Sequence, residues 1–234
     1  MKYMGGKNRL AKEILPIMLA EHKPGQYWVE PFVGGGNMID KVNGPRIGAD
    51  LNKYLIALFS EMQKPDFKAP LISEWLYQNI KDNKEVYPDW VVGFAGFQLS
   101  YGAVWFGSYR RDSIGERNYA DEAVRNVEKQ AKKIADIVFI HSSYDKLFIP
   151  DGSLIYCDPP YAGTASYKAV DAFNHDKFWE WCRVMAKKGH TVFISEYNAP
   201  YDFVPIWEKG VNSSLTKDTG AKKAVEKLFM YRGF

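Results

Sequence analysis

The sequence predicts a doubly wound α/β sheet with a smaller lobe inserted into it. Short apolar segments of strand type, at residues 27–32, 46–50 and 154–157, each run into an acid or a glycine turn and alternate with helical segments. Between about residues 71 and 119 this alternation stops, and glycines and aromatic residues dominate instead. Because the α/β pattern resumes near residue 138, we expect one fold interrupted by an insertion.

Composition excludes several classes of protein. The 234 residues, 46% of them hydrophobic, are enough for one sizeable core and argue against extended disorder. The net charge of +3 is too small for a nucleic-acid coat, so any basic face must be local. Two cysteines without metal-site spacing predict no metal and a reducing compartment. With no signal segment and no run of about 18 apolar residues, we expect a cytoplasmic monomer without a membrane span.

The chain opens with Tyr3-Met4-Gly5-Gly6-Lys7, and the apolar spacing that follows predicts a helix from about Asn8. Two glycines and a lysine before a helix could hold an anion such as a carboxylate. From this segment alone, an ordinary turn with a solvated lysine is the better interpretation.

The strand at residues 27–32 leads into Gly34-Gly35-Gly36, where three adjacent glycines let the backbone approach a ligand closely. A second strand, residues 46–50, ends at Asp50, where an acid accepts hydrogen bonds from both ribose hydroxyls of a bound nucleoside. A helix at residues 52–62 follows. The spacing is not that of the dinucleotide fingerprint, and the glycines alone would fit a plain loop, but the three features together favour a nucleoside cofactor.

The expected insertion combines aromatic rings with arginines. Residues 91–109 are rich in glycine and aromatic side chains, and the basic segment 110–117 follows directly. Arginine forks beside aromatic rings suit phosphate contact, guanine readout and base stacking. The alternative is a solvated loop over an aromatic core. We place the lobe at residues 63–134, between the two parts of the main domain at 1–62 and 135–234.

The remaining elements restore the α/β pattern. A helix is expected at residues 121–134, where Lys129, Lys132 and Lys133 form a solvated face or, as the alternative, contact phosphate. Strands are expected at 138–140, 154–157 and 191–195, and a helix at 178–188. The last segment, residues 221–230, fits a helix or a helix running into a strand.

The stretch Asp158-Pro159-Pro160-Tyr161 carries the most chemistry. Proline cannot donate to a ladder, so the strand ends at Asp158 and leaves this side chain at the carboxyl edge, where α/β sheets bind ligands. The carboxylate and the Pro159 carbonyl are two acceptors beside the Tyr161 ring, which suits the amino group of a planar base flipped out of its stack. A Pro-Pro turn with a solvated aspartate is the alternative. Strand alternation directs Cys157 away from Asp158, which disfavours a cysteine nucleophile.

With these motifs identified, the chain resembles the Dam-type, α-group DNA adenine-N6 methyltransferases. The resemblance runs from Lys2 to about Tyr231 and implies a Rossmann-like methyltransferase sheet with an inserted recognition lobe, S-adenosyl-L-methionine as cofactor and double-stranded DNA as partner. It rests on six motifs in the family's order: Tyr3-Met4-Gly5-Gly6-Lys7, Glu30-Pro31-Phe32-Val33-Gly34-Gly35-Gly36, Gly48-Ala49-Asp50, Ser143-Tyr144, Asp158-Pro159-Pro160-Tyr161 and Lys223-Ala224-Val225-Glu226-Lys227-Leu228.

The resemblance also implies roles for matching residues. The catalytic motif would be Asp158, Pro159, Pro160 and Tyr161. The cofactor would contact Tyr3, Lys7, Glu30, Phe32, Gly34, Gly36, Asp50, Ser143, Tyr144 and Asp158. DNA contacts are expected from the lobe, through Tyr109, Arg110, Arg111 and Arg117.

The chain departs from the family at two points, and the second of them bears on the target sequence. The family usually has tryptophan where this chain has Tyr3, and the hairpin by which GATC-specific members read DNA is not recognisable in residues 101–119. The target is therefore GATC, a different motif or a relaxed one. Two alternative functions stay open: methylation of another planar amino group, on cytosine N4 or a protein glutamine, and a catalytically silent DNA-binding module.

Overall fold

The computed structural model describes residues 1–112, 114, 116–162, 173–212 and 223–233. Within them, seven strands form one sheet: β1 (Trp28–Glu30), β2 (Arg46–Asp50), β3 (Val138–His141), β4 (Leu154–Cys157), β5 (Thr191–Glu196), β6 (Phe203–Asn212) and β7 (Lys223–Tyr231). Their order is β3-β2-β1-β4-β5-β7-β6. Strands β1 to β5 pair in parallel, and β7 lies antiparallel between β5 and β6. This confirms the predicted doubly wound α/β fold.

The strand order fixes where a ligand can bind. It reverses between β1 and β4, whose neighbours along the sheet are β2 and β5 respectively. At such a switch point the connections leave in opposite directions and open a crevice outside the carboxyl ends of the strands. The glycine turn after β1 and Asp158 after β4 both lie at this edge.

Helices cover both faces of the sheet. They are α1 (Ala11–Ala20), α2 (Lys53–Met62), α3 (Glu74–Asp82), α4 (Asp89–Gln98), α5 (Tyr119–Ala131) and α6 (His175–Lys187). Four begin after a side chain that accepts a first-turn backbone N–H, which explains where they start: Asn52, Ser73, Asn118 and Asn174. In the described part of the chain, no helix has both the length and the apolar character needed to cross a bilayer.

The two faces of the sheet have separate hydrophobic clusters. On one face, Trp28 of β1 and Tyr156 of β4 pack with apolar side chains of α1, α2, α4 and α5. On the other face, Ile155 and Cys157 of β4 pack with α6. The alternation along β4 therefore places Cys157 in the core, where Cys182 of α6 is also buried as a free thiol.

Strand β7 corrects the prediction for residues 221–230, which expected helix at least in part. Leu228 and Phe229 are both buried, and they belong to the clusters on opposite faces of the sheet. The apolar positions at 224, 225, 228 and 229 fit a helix just as well. Pairing with β5 on one side and β6 on the other decides for the strand. The sequence also gave no prediction for β6, and residues 221–222 lie outside those described.

The segment predicted as an inserted lobe contains α3, α4 and α5. Helix α4 lies against α2 so closely that a Cβ added at Gly93 would meet the carbonyl oxygen of Tyr54 at 2.2 Å. Tyr77 of α3 and Phe97 of α4 belong to the same hydrophobic cluster as Trp28 of the sheet. The lobe therefore shares a core with the face of the sheet on which it packs.

Helix α5 returns the chain from the lobe to the sheet. Its Gln130 side chain donates to the carbonyls of Gly35 and Gly36, at 3.0 and 3.2 Å. These contacts tie the end of the lobe to the glycine turn that follows β1. The boundaries at residues 63 and 134 stay a prediction.

Candidate active site

Acidic side chains mark the carboxyl ends of the central strands. Glu30 ends β1, Asp50 ends β2, Glu196 ends β5, and Asp158 directly follows β4. Because parallel strands end at the same edge, these four acids lie along one cleft and offer acceptors to cations and hydrogen-bond donors. Over the residues that the structure describes, no group of three or more His, Cys, Asp or Glu side chains is arranged to hold a metal ion.

Asp50 and the glycine turn form one end of this cleft. The Gly34 N–H donates to Oδ2 of Asp50 at 3.1 Å, and the Asn52 N–H donates to Oδ1 at 2.9 Å. Gly34 and Gly36 have φ values of +46° and +64°, which favour glycine. Burial raises the pKa of Asp50, and these backbone hydrogen bonds oppose the rise. Each carboxylate oxygen has a further lone pair, so Asp50 can also accept from a ligand's hydroxyls.

Tyr3 covers the glycine turn. A Cβ added at Gly34 would lie 2.9 Å from Cε1 of the Tyr3 ring, so a larger residue there would displace the ring. The Tyr3 ring also packs on Phe97 of α4, with the ring centroids 5.3 Å apart. Next to it, the Lys2 N–H donates to Oε1 of Gln98 and the Gln98 Nε2 donates to the Lys2 carbonyl, both at 3.0 Å. The N-terminal segment thus joins the glycine turn to α4.

An aromatic pair stands beside Asp50. The rings of Phe32 and Tyr144 are stacked, with centroids 5.4 Å apart and an interplanar angle of 29°. Ser143 and Tyr144 follow β3, and the Ser142 N–H donates to the Asp50 carbonyl at 3.2 Å. The sequence prediction that Phe32, Asp50, Ser143 and Tyr144 belong to one site is therefore consistent with their placement.

Lys7 holds the other end of the cleft together. Its Nζ lies 2.7 Å from Oδ1 of Asp158 and 3.5 Å from Oε1 of Glu226 on β7. The same ammonium lies 4.7 Å from the centroid of the Tyr161 ring. Burial lowers the pKa of Lys7, but Asp158 and Glu226 outweigh that effect and leave the pKa above its usual value. Lys7, predicted as a cofactor contact, thus lies against the Asp158-Pro159-Pro160-Tyr161 motif as a cation.

The other residues of the motif, Pro159, Pro160 and Tyr161, differ in their burial and contacts. Pro159 is buried and Pro160 is exposed. The Tyr161 hydroxyl donates to Glu226, and its ring meets that of Tyr197 edge-on at 4.7 Å. Burial, Asp158 and Glu226 all raise the pKa of Tyr161, so its hydroxyl stays protonated. Beyond the motif, the Ala162 N–H donates to Glu196 at 2.7 Å, which fixes the chain as it leaves the site.

Glu30 differs from the other acids of the cleft. It is 2% exposed and accepts a hydrogen bond from Nε1 of Trp28 at 2.8 Å. Burial raises the pKa of Glu30 to about 8; the Trp28 hydrogen bond opposes this, and the charge of Asp158 adds to it. Glu30 is therefore mostly uncharged at neutral pH.

Two of the residues predicted to contact DNA are used inside the lobe. The Tyr109 hydroxyl donates to the carbonyl of Ile72 at 3.1 Å. The Arg110 guanidinium stacks on Tyr119, 3.6 Å from the ring centroid. These contacts show how the segment between α4 and α5 is held, and they leave the DNA role of both residues a prediction.

The other two candidate DNA contacts face solvent. Arg111 is exposed and forms a bidentate ion pair with Glu74, in which Nε of Arg111 lies 2.8 Å from Oε2 of Glu74. Arg117 is also exposed, and its backbone N–H donates to Asp112 at 2.7 Å. Both guanidinium groups lie on the surface of the lobe, as a DNA contact requires.

Three buried polar residues of the site were not assigned a role from the sequence. Glu196 ends an apolar strand, the same signal that identified Asp50, and could have been found by it. Glu226 interrupts the apolar pattern of β7, whose assignment as a strand was missed. Gln130 lies on a helix of ordinary composition, and nothing in the sequence distinguishes it from a solvated glutamine.

Comparison with known proteins identifies one family and several relatives. The family described as "D12 class N6 adenine-specific DNA methyltransferase" matches residues 3–90 and 94–205. The chain is 26% identical to the retron Ec67 DNA adenine methylase of Escherichia coli, covering 83% of this chain and 75% of that protein. It is 26% identical to the DNA adenine methylase of E. coli strain K12, covering 97% and 92%. Among solved structures, the one titled "Putative methyltransferase yhhF from Escherichia coli" aligns over 96% of this chain and 86% of that one, with a TM-score of 0.39 and 10% identity.

Proposed function

Because the chain belongs to the D12 class of N6 adenine-specific DNA methyltransferases, we infer that its carboxyl-edge cleft transfers a methyl group to N6 of adenine in DNA. The observation that carries this assignment to the cleft is the group Asp158, Tyr161 and Lys7, which lies at the same sheet edge as the Asp50 end. A base and a methyl donor bound at the two ends would meet between β1 and β4.

The Asp50 end fits S-adenosyl-L-methionine. Asp50 retains acceptor capacity for ribose hydroxyls, and the half-buried Phe32 ring, supported by the buried Tyr144 ring stacked on it, offers ring surface for an adenine. At Gly34 and Gly36 the backbone could approach the middle part of S-adenosyl-L-methionine closely, because glycine has no side chain. When bound, this cofactor supplies the methyl group in electrophilic form on a sulfonium sulfur.

The Asp158 end fits an adenine flipped out of the DNA. The Asp158 carboxylate and the Pro159 carbonyl would each accept one hydrogen of the N6 amino group, and Tyr161 would stack on the base. These hydrogen bonds orient the nitrogen lone pair, which is otherwise delocalised into the ring. A carboxylate has about four acceptor sites, so the contact with Lys7 leaves Asp158 able to bind the amino group.

The other proposals concern specificity and partners. The family acts on adenine, so cytosine N4, a protein glutamine and a silent binding module lose their support. We assign target recognition to the lobe, residues 63–134, with Arg110, Arg111 and Arg117 as its basic contacts. The target is GATC, another motif or a relaxed one, and the protein acts as a cytoplasmic monomer.

The test is to map N6-methyladenine at single-base resolution on mixed-sequence DNA after incubation with protein and S-adenosyl-L-methionine. We expect methylated adenines, and their flanking bases define the target. Methylation of cytosine alone would contradict the assignment.

Asp158→Ala tests the catalytic role directly. Because it removes an acceptor for the amino group, we expect the single-turnover methylation rate to fall by about 100-fold or more in a variant that is still folded at the assay temperature. A near-normal rate in a folded variant would exclude the proposed role of Asp158.

Asp50→Ala tests the cofactor end. Loss of the carboxylate should weaken binding of S-adenosyl-L-methionine about 10- to 100-fold in calorimetry, because hydrogen bonds to a charged acceptor are lost. DNA affinity, measured without cofactor, should change much less. If DNA affinity changes more than cofactor affinity, the assignment of Asp50 is wrong.

A further inference from the structure

Glu226 is the one acid of the site that comes from β7, far along the chain from the Asp158 motif. Its carboxylate accepts a hydrogen bond from the Tyr161 hydroxyl and lies 3.5 Å from the ammonium of Lys7. Lys7 in turn contacts Asp158 at 2.7 Å. Glu226 therefore connects both functional parts of the motif, the carboxylate and the ring.

A buried carboxylate within a strand is costly unless its partners compensate for lost hydration. The Glu226 side chain is only 8% exposed, and so is that of Lys7. Neighbouring Val225 and Lys227 on the same strand are more exposed, so the acid could point to water with a register shift of one residue. The observed register directs the acid inward, where it meets Lys7 and Tyr161.

A tyrosine used to stack on a base needs a fixed ring plane. The ring of Tyr161 has Lys7 over its face and Tyr197 at its edge, and the hydrogen bond to Glu226 fixes its far end. Anchoring the hydroxyl limits rotation of the ring about χ1 and χ2, so less order has to be imposed when a base enters. The same carboxylate limits where the Lys7 ammonium can lie, and thereby holds Asp158.

We propose that Glu226 is a positioning residue for adenine methylation: it fixes the Tyr161 ring and, through Lys7, the Asp158 carboxylate in the geometry that receives the flipped base. This inference rests on the proposed function of the cleft. It assigns Glu226 no contact with the base or the cofactor.

The proposal predicts a specific pattern among variants. Tyr161→Phe keeps the ring but removes its anchor, and should lower the single-turnover methylation rate about tenfold. Glu226→Ala removes the anchor and the restraint on Lys7, and should lower the rate at least as much. The double variant should be no more than about threefold slower than Glu226→Ala, because both changes break one interaction. Glu226→Gln, which keeps an acceptor, should recover part of the rate.

The experiment measures single-turnover rates at saturating DNA and S-adenosyl-L-methionine, cofactor affinity by calorimetry, and the unfolding temperature. Glu208→Gln removes a carboxylate from an exposed position on β6 and is the matched control. Cofactor affinity should stay within about threefold of wild type in all variants. If Glu226→Ala does not fold, Glu226→Gln carries the test and should still be several-fold slower than the control.

Three results would overturn the proposal: a Glu226→Gln rate equal to that of the control, rate losses that multiply in the double variant, or a loss confined to cofactor affinity with a normal rate at saturation. Wild-type protein and Asp158→Ala in the same assay separate this question from the function itself. If wild type methylates adenine and Asp158→Ala does not, only the Glu226 variants bear on the positioning role.

Discussion

The acidic side chains of the cleft differ in whether a cation balances their charge and in whether they are protonated at neutral pH. Asp158 and Glu226 both contact the ammonium of Lys7, which partly balances them. Burial raises the pKa of Glu30 to about 8, and the Trp28 hydrogen bond and the charge of Lys41 offset only part of that rise. The Asp158 end of the cleft therefore combines two acids that share the Lys7 ammonium with a glutamic acid that is mostly neutral at pH 7. This limits the negative charge that surrounds Asp158.

The raised pKa of Glu30 predicts a pH dependence of stability. Below about pH 4.5 this group is protonated in both the folded and the unfolded chain, so it has no effect. As the pH rises toward 8, the unfolded chain releases the proton while the folded chain keeps it, and the free energy of unfolding falls. Glu30→Gln removes this penalty while keeping an acceptor for Trp28. We expect the variant to gain about 3 kcal/mol relative to wild type between about pH 5.5 and pH 8.

Urea unfolding at several pH values in this range measures the effect. Glu21→Gln, which removes a carboxyl group from an exposed position after α1, is the control and should follow wild type. If Glu30→Gln shows the same pH dependence as wild type, the folded protein does not retain the proton on Glu30.

The residues of the site differ in how far the sequence could reveal them. Asp50, Asp158 and Tyr161 stand where apolar strands end, and the parallel sheet brings such ends together. The contact of Lys7 with Asp158 could not be derived, because it joins two segments about 150 residues apart in the chain. The inward direction of Glu226 depends on β7 being a strand, which the local spacing of apolar residues does not predict.

Some secondary-structure elements follow from their own sequence, whereas others depend on partners that are distant in the chain. Strands β1, β2, β4 and β5 are buried runs bounded by polar or turn residues, and their sequences alone predicted them. Strands β6 and β7 depend on pairing with each other and with β5. Local spacing in β7 fits a helix, so only the tertiary partner decides its conformation.

Contact between α2 and α4 predicts the effect of one glycine. In an isolated helix, Gly93→Ala would stabilise by about 1 kcal/mol through helix propensity. Here the added Cβ would lie 2.2 Å from the Tyr54 carbonyl oxygen, and because this is backbone the two helices must separate. We expect a net loss of about 1–3 kcal/mol in the free energy of unfolding.

Chemical denaturation of Gly93→Ala and of a second glycine variant measures this loss. Gly210→Ala on β6 is the control, because nothing lies within 4 Å of the added Cβ. A stabilised Gly93→Ala variant would mean that α4 can move away from α2 without cost. The sequence predicted both the end of α2 and an aromatic lobe, but not that their packing depends on this glycine.

At the scale of the whole molecule, the lobe and the sheet form one connected body. They share a hydrophobic cluster, and the polar contacts of Gln98 with Lys2 and of Gln130 with the glycine turn cross between them. DNA held by the lobe would therefore be held relative to the cleft as well. With a net charge of only +3, the chain must concentrate its attraction for DNA in a local basic face, for which the proposed segment is 110–117.

The ion pair between Arg111 and Glu74 allows a test in which one variant should weaken DNA binding and another should strengthen it. Both side chains are exposed, so the pair contributes little to stability and Arg111 can exchange Glu74 for a DNA phosphate. Arg111→Ala should weaken DNA binding and reduce the slope of log Kd against log salt by about 0.9, the value for one phosphate contact. Glu74→Gln should strengthen binding, because it releases the guanidinium and removes a negative charge. Lys209 lies on the edge strand β6, outside the lobe, and forms an exposed ion pair with Glu13 of α1. Lys209→Ala breaks this pair and should change neither the DNA affinity nor the salt slope. If Arg111→Ala and Lys209→Ala have equal salt slopes, the basic contacts of the protein with DNA lie elsewhere than at Arg111.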